Sequence, residues 1–106
     1  MGLFDSLRPA DINVGVREFR ETPGARLIDV RTPAEFADGH IPGAVNVPLQ
    51  QIGSIAAAVP EAATPLFVYC LSGGRSAQAA AALKRAGYGD VRNIGGIGSW
   101  NGEVER

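Results

Sequence analysis

Residues 66–87 constrain the fold more than any other stretch of the chain. Leu66-Phe67-Val68-Tyr69 is a short apolar run with aromatic and β-branched residues, the pattern of a buried strand. Ala77 to Gly87 is rich in alanine, opens after Ser76 and closes at a glycine, which predicts a helix. Cys70-Leu71-Ser72-Gly73-Gly74-Arg75-Ser76 joins the two, and Cys70 is the only cysteine.

A loop that runs into a helix N-terminus turns unpaired backbone N–H groups toward its own interior. Gly73 and Gly74 let the backbone curl without Cβ clashes, so that further N–H groups face inward. A thiol at the start of such a cradle is expected to ionise more readily than a free one. Arg75 adds a fixed positive charge at the rim. The expected product is an anion hole with a nucleophile, Cys70, at its base.

The rest of the chain alternates in the same way. Asp11 to Thr22 carries Ile12, Val16 and Phe19 at helical spacing; Asp11 and Asn13 are both able to cap it, and Pro23-Gly24 ends it. Ala25 to Val30 reads as a buried strand. Thr32-Pro33-Ala34-Glu35 then supplies a Thr cap, a proline at the first helical position and Glu three residues after the cap. Phe36 is expected to pack inward and Gly39 to stop that helix. Ala44 to Val47 reads as a strand, and Pro48 to Val59 as a helix with Ile52, Ile55 and Ala56 as its apolar stripe. In the alanine-rich helix Ala79, Ala80, Leu83 and Ala86 share one face. Val91 to Ile94 is the last strand, and a further short strand near residues 11–13 is an alternative there. This alternation predicts an α/β domain of three layers, a mostly parallel central sheet flanked by helices. Residues 1–10 read as an N-terminal extension and 11–106 as a single domain.

The spacing Cys-x4-Arg resembles the active-site loop of the rhodanese family of thiosulfate sulfurtransferases, in its single-domain form. Leu27-Ile28-Asp29-Val30-Arg31-Thr32-Pro33-Ala34-Glu35-Phe36 with Gly39-His40-Ile41-Pro42-Gly43-Ala44-Val45-Asn46-Val47-Pro48 resembles that family's first signature. Val91-Arg92-Asn93-Ile94-Gly95-Gly96-Ile97 with Trp100 resembles its C-terminal one. The resemblance implies the rhodanese-like fold and a sulfurtransferase. Cys70 would take a sulfane sulfur from a small anionic donor, thiosulfate or a persulfide, and pass it to a thiol, a protein or cyanide. Leu71, Ser72, Gly73, Gly74, Arg75 and Ser76 would bind the donor, with Arg75 on its anionic part. It also implies structural roles for Asp29 and His40. Mercaptopyruvate-specific relatives usually lack this arginine, so thiosulfate or a persulfide fits the loop better.

Outside the loop, Asp29 sits at the end of a strand, where open α/β sheets place ligand crevices. It is expected to tie down loop N–H groups or an arginine. His40, the only histidine, lies between a helix-stop glycine and Ile41-Pro42-Gly43, which favours a ring fixed in a turn over a general base. Trp100 is expected to cap the core rather than rim the pocket.

Other classes are disfavoured. With 106 residues and a net charge of −1 spread without a basic block, no nucleic-acid surface is indicated. One cysteine makes no internal disulfide, and the absence of a signal pattern suggests the cytoplasm. No apolar run approaches membrane-helix length. One His and one Cys do not complete a tetrahedral metal site, and Gly95-Gly96-Ile97-Gly98 is not a dinucleotide fingerprint, so neither metal nor cofactor is expected. Met1 to Ser6 fits a loose N-myristoylation pattern; the plainer reading is a turn tucking Leu3, Phe4 and Leu7 onto the domain. Related phosphatases use a loop one residue longer, with His before the cysteine, whereas Tyr69 stands there here. A non-catalytic regulatory or sulfur-carrier-binding module and a redox-sensing thiol remain as rival readings.

Overall fold

A computed structural model describes residues 10–106. The N-terminal extension, with its lipidation pattern and apolar turn, lies outside the described residues. Four strands, β1 (Arg26–Asp29), β2 (Ala44–Asn46), β3 (Leu66–Cys70) and β4 (Val91–Gly96), form one sheet in the order β2-β1-β3-β4. Every pairing is parallel. The helices are α1 (Ile12–Arg20), α2 (Pro33–Asp38), α3 (Ile55–Ala58) and α4 (Gly74–Arg85), with 3-10 segments at Leu49–Ser54 and Ile97–Ser99. None among the described residues is long and apolar enough to cross a membrane.

The pleat sorts the strand side chains onto two faces. Ile28, Leu66, Val68 and Cys70 join Ile55 of α3 and Ala79, Ala80 and Leu83 of α4 in one cluster. Leu27, Phe67 and Tyr69 join Ile12 and Val16 of α1 and Ile94 in the other. Both faces are covered, as a parallel sheet requires. Each fully buried leucine, isoleucine or phenylalanine contributes about 1.5–3 kcal/mol. Small residues on α4 bring it close to the sheet and hold its first turn under the cysteine loop.

Several expectations are refined by the packing. Asp11, not Asn13, caps α1, accepting from the Asn13 N–H at 2.9 Å. Residues 11–13 therefore open a helix and form no strand. Asn13 instead reaches the end of the chain: its Nδ2 donates to the Ser99 carbonyl at 3.0 Å and its Oδ1 accepts from Asn101 N–H at 3.0 Å. Residues 48–59 do not form one α-helix. Leu49, Ile52 and Ile55 recur every three residues, the repeat of a 3-10 helix, and that is what Leu49–Ser54 adopts before one α-helical turn. The turn then points Ala58 and Val59 inward and leaves Ala56 exposed. Helix α4 begins at Gly74, ahead of its expected start after Ser76, and Ala86 is exposed beyond its end. Phe36 is half-buried and stacks on His40 instead of entering the core.

Because all four strands run the same way, their last residues meet at one edge: Asp29, Asn46, Cys70 and Gly96. That edge is where a doubly covered parallel sheet opens to a ligand.

Candidate active site

Cys70 ends β3 and is 1% exposed. Its Sγ accepts from the Gly73 N–H at 3.0 Å and the Ser76 N–H at 3.4 Å. Gly73 sits just before α4 at φ 106, a left-handed conformation that a side chain rarely adopts, and this turn aims its N–H back at the sulfur. Gly74 needs no such freedom: a Cβ there would meet nothing within 4 Å. Ser76 is completely buried, in the first turn of α4, with Oγ 3.4 Å from Sγ.

The Ser76 hydroxyl has one proton and several acceptors. Asn93 Oδ1 is nearest at 2.7 Å, the Gly73 carbonyl lies at 3.0 Å, and Sγ is farther. The backbone N–H groups are thus the fixed donors on the sulfur. Burial pushes the Cys70 thiol up; hydrogen bonding from Ser76, Gly73 and Ser72 outweighs it and holds the thiol below its ordinary value. Iodoacetamide alkylation followed against pH is expected to give a midpoint below that of glutathione. A midpoint at or above it would mean that these donors do not stabilise the thiolate.

The loop rests on the end of β4. Leu71 is half-exposed at its side chain, while its carbonyl accepts from the Gly98 N–H at 3.0 Å. The Leu71 and Ser72 backbone lies so near Gly96 that a Cβ there would fall 2.1 Å from the Leu71 oxygen. Asn93 braces the loop from below: Nδ2 donates to the Gly73 carbonyl at 3.2 Å, and Oδ1 accepts from the Ser76 hydroxyl and from the Gly95 N–H at 3.1 Å. Leu71 and Ser72 also border an open cleft whose other wall includes Asp11, Val14 and Glu18 of the α1 region.

The remaining candidates have structural partners. Asp29 is fully buried and accepts from the Arg31 N–H at 2.9 Å and from its guanidinium at 2.8 Å. Burial works against the Arg31 charge, and the Asp29 carboxylate outweighs it. Asn46 Nδ2 bridges the carbonyls of Asp29 and Arg31. The His40 ring stacks on Phe36 at 3.7 Å, and its Nδ1 lies 2.9 Å from the Phe36 carbonyl, which makes that nitrogen the protonated one. Its backbone pairs with Glu105. Trp100 packs on the α1 side of the core and donates from Nε1 to the Glu103 carbonyl, as a core cap would.

Arg75 is the loop's only charged side chain, and it is not free. Its guanidinium holds Glu35 through two bonds, at 2.7 and 3.0 Å. Glu35 also completes the capping box of α2, with Thr32 N–H donating to Oε1 at 3.0 Å and Glu35 N–H donating to Thr32 Oγ1 at 3.2 Å. The Arg75 guanidinium first, and the Thr32 N–H second, lower the Glu35 carboxyl to about 2.

The model of the rhodanese-like domain family matches residues 15–103. This chain is a member of the rhodanese-like family. A sulfurtransferase of Allochromatium vinosum is 43% identical over 81 residues, 76% of this chain and 75% of that protein. The thiosulfate sulfurtransferase PspE of Escherichia coli is 42% identical over 71 residues, 66% of this chain and 68% of its own. Among solved structures, a rhodanese with anions from E. coli superposes with a TM-score of 0.72 at 36% identity, covering 77% of this chain and 98% of that one.

Within this rhodanese-like domain, the cysteine and its strand lie where the sequence puts them, and the helix behind them starts earlier, at Gly74. Asn93, Gly96 and Glu35 had no assigned site role. The glycine run 95–98 carried a signal, but its meaning depends on Leu71, a neighbour only in space. The Thr32–Glu35 spacing announced a helix cap and gave no hint of Arg75.

Proposed function

We propose that this rhodanese-like domain is a sulfurtransferase in which Cys70 carries a sulfane sulfur between a small anionic donor, thiosulfate or a persulfide, and an outside thiol. The observation that carries the reading is a buried thiol at the end of β3 with two backbone N–H groups on its sulfur. In the first half-reaction the Cys70 thiolate attacks the outer sulfur of the donor. The donor's S–S bond breaks, sulfite or a thiolate leaves with the electron pair, and Cys70 becomes a persulfide. In the second, an acceptor thiolate or cyanide attacks the outer sulfur of Cys70–S–SH and the Cys70 thiolate is released. This is covalent catalysis in two steps, and ping-pong kinetics follow from it. The loop N–H groups that donate to the thiolate serve the anionic persulfide equally. With Cys70 the only cysteine, no internal thiol resolves the persulfide, so the acceptor comes from a second molecule.

Incubation with thiosulfate or glutathione persulfide, followed by rapid desalting and intact-mass measurement, is expected to add about 32 Da at Cys70, one sulfur. Cyanide or dithiothreitol should remove it. A protein that gains no mass from either donor would refute the reading.

A further inference from the structure

Among the described residues, four charged side chains gather at the C-terminal edge of the sheet in two ion pairs. Asp29 takes Arg31, and Glu35 takes Arg75. The second pair stands at the rim of the cysteine loop, with side chains 31% and 30% exposed, open enough to meet a ligand. Both arms of the Arg75 fork are engaged, and the Thr32 N–H anchors the Glu35 carboxylate from behind. The charges of Cys70 and Asp29 act on Arg75 as well, which places its guanidinium within electrostatic reach of the sulfur. Among the described residues, the edge therefore offers a cradle of N–H donors suited to one negative charge and no uncompensated cation for a second.

We propose that Glu35 is a specificity-determining residue: by occupying the Arg75 fork it disfavours dianionic donors and leaves the loop to persulfides whose reacting end carries at most one negative charge. The inference rests on the sulfur-transfer reading above. A persulfide R–S–SH presents a terminal sulfur on a single chain. The Cys70 thiolate attacks that sulfur, the S–S bond breaks, R–S⁻ leaves with the electron pair, and Cys70–S–SH remains. The loop N–H groups suffice for this charge. Thiosulfate brings two charges and a sulfonate-like face, for which the guanidinium fork is the matching partner. To reach it, thiosulfate has to displace a carboxylate that is bound at both oxygens and remains ionised at any pH well above 2.

Glu35→Gln removes the competing charge and keeps an oxygen for the Thr32 N–H. Two measurements apply. In enzyme that retains Cys70, the ratio of kcat/KM for thiosulfate to kcat/KM for glutathione persulfide is expected to rise about tenfold, the low end for a charged hydrogen-bonded contact. In a Cys70→Ser background, calorimetric binding of thiosulfate is expected to tighten by a similar factor on adding Glu35→Gln. Adding Arg75→Ala should cancel both gains. If thiosulfate binds Cys70→Ser/Glu35→Gln no more tightly than Cys70→Ser, the role of Glu35 is overturned, whatever the turnover shows. If the parent takes sulfur from neither donor, the sulfur-transfer reading falls and this inference falls with it.

Discussion

Cys70→Ser is expected to leave a folded protein that transfers no sulfur. Serine is close to cysteine in shape, and its hydroxyl can accept from the same Gly73 N–H that now reaches the sulfur at 3.0 Å. The fold should therefore lose only about 1 kcal/mol, the usual scale for a buried substitution that keeps its partner. The chemistry has no substitute. A hydroxyl stays protonated at the pH where the thiol ionises, and an oxygen cannot carry sulfane sulfur as a persulfide. Loss of a nucleophile of this kind costs roughly 10³- to 10⁶-fold in rate. Thermal denaturation and steady-state transfer, measured on the same preparation, separate the two effects. Turnover by Cys70→Ser within tenfold of the parent would remove Cys70 from the mechanism.

The second large effect is expected at a glycine of β4 that lies against the backbone of the cysteine loop. Gly96→Ala would put a methyl group 2.1 Å from the Leu71 carbonyl oxygen, 2.5 Å from its carbon and 2.6 Å from the Ser72 Cα. All three atoms are backbone, so no side chain can swing away. The backbone of Gly96 itself is ordinary extended strand, at φ −133 and ψ 141, so the conflict is one of space alone. Either the cysteine loop lifts or the end of β4 withdraws from the Cys70–Gly96 pairing. In both cases the 3.0 Å bond from Gly98 N–H to the Leu71 carbonyl is strained, and a lifted loop takes the Gly73 N–H off the sulfur. A displacement on the order of 1 Å costs about 10²-fold in a reaction that depends on positioning. Overpacking costs stability of about 1–3 kcal/mol. The alkylation midpoint of Cys70 should rise at the same time, because its donors are misplaced. Gly89→Ala is the control, since a Cβ there meets nothing within 4 Å. Parent-like transfer and alkylation in Gly96→Ala would show that the loop is not seated on β4.

The sequence by itself determined the parts that short-range physics controls. The strand 66–70 follows from an apolar run, the α2 start from Thr32 and Glu35 three residues apart, and the stop at Gly39 from a glycine at the helix end. These signals lie within one turn or one strand, where covalent geometry alone fixes which groups can meet. The cysteine loop was legible for the same reason: strand, glycine turn and helix N-terminus are consecutive. Ambiguity began where two local patterns overlap, as in Leu49, Ile52 and Ile55, whose spacing of three fits one face of an α-helix and also the 3-10 turn that formed.

The tertiary structure decided which distant residues complete the site. Glu35 and Arg75 are 40 positions apart, Leu71 and Gly98 are 27, and Ser76 and Asn93 are 17. Each pair meets because β1, β3 and β4 lie side by side and parallel, so that the segments leaving their C-terminal ends converge at one edge. Strand order is set by how two covered faces pack as a whole, and no short window of sequence carries it. That is why Arg75 reads along the chain as a free cation beside a thiol, and stands in the folded protein with its charge already matched by Glu35.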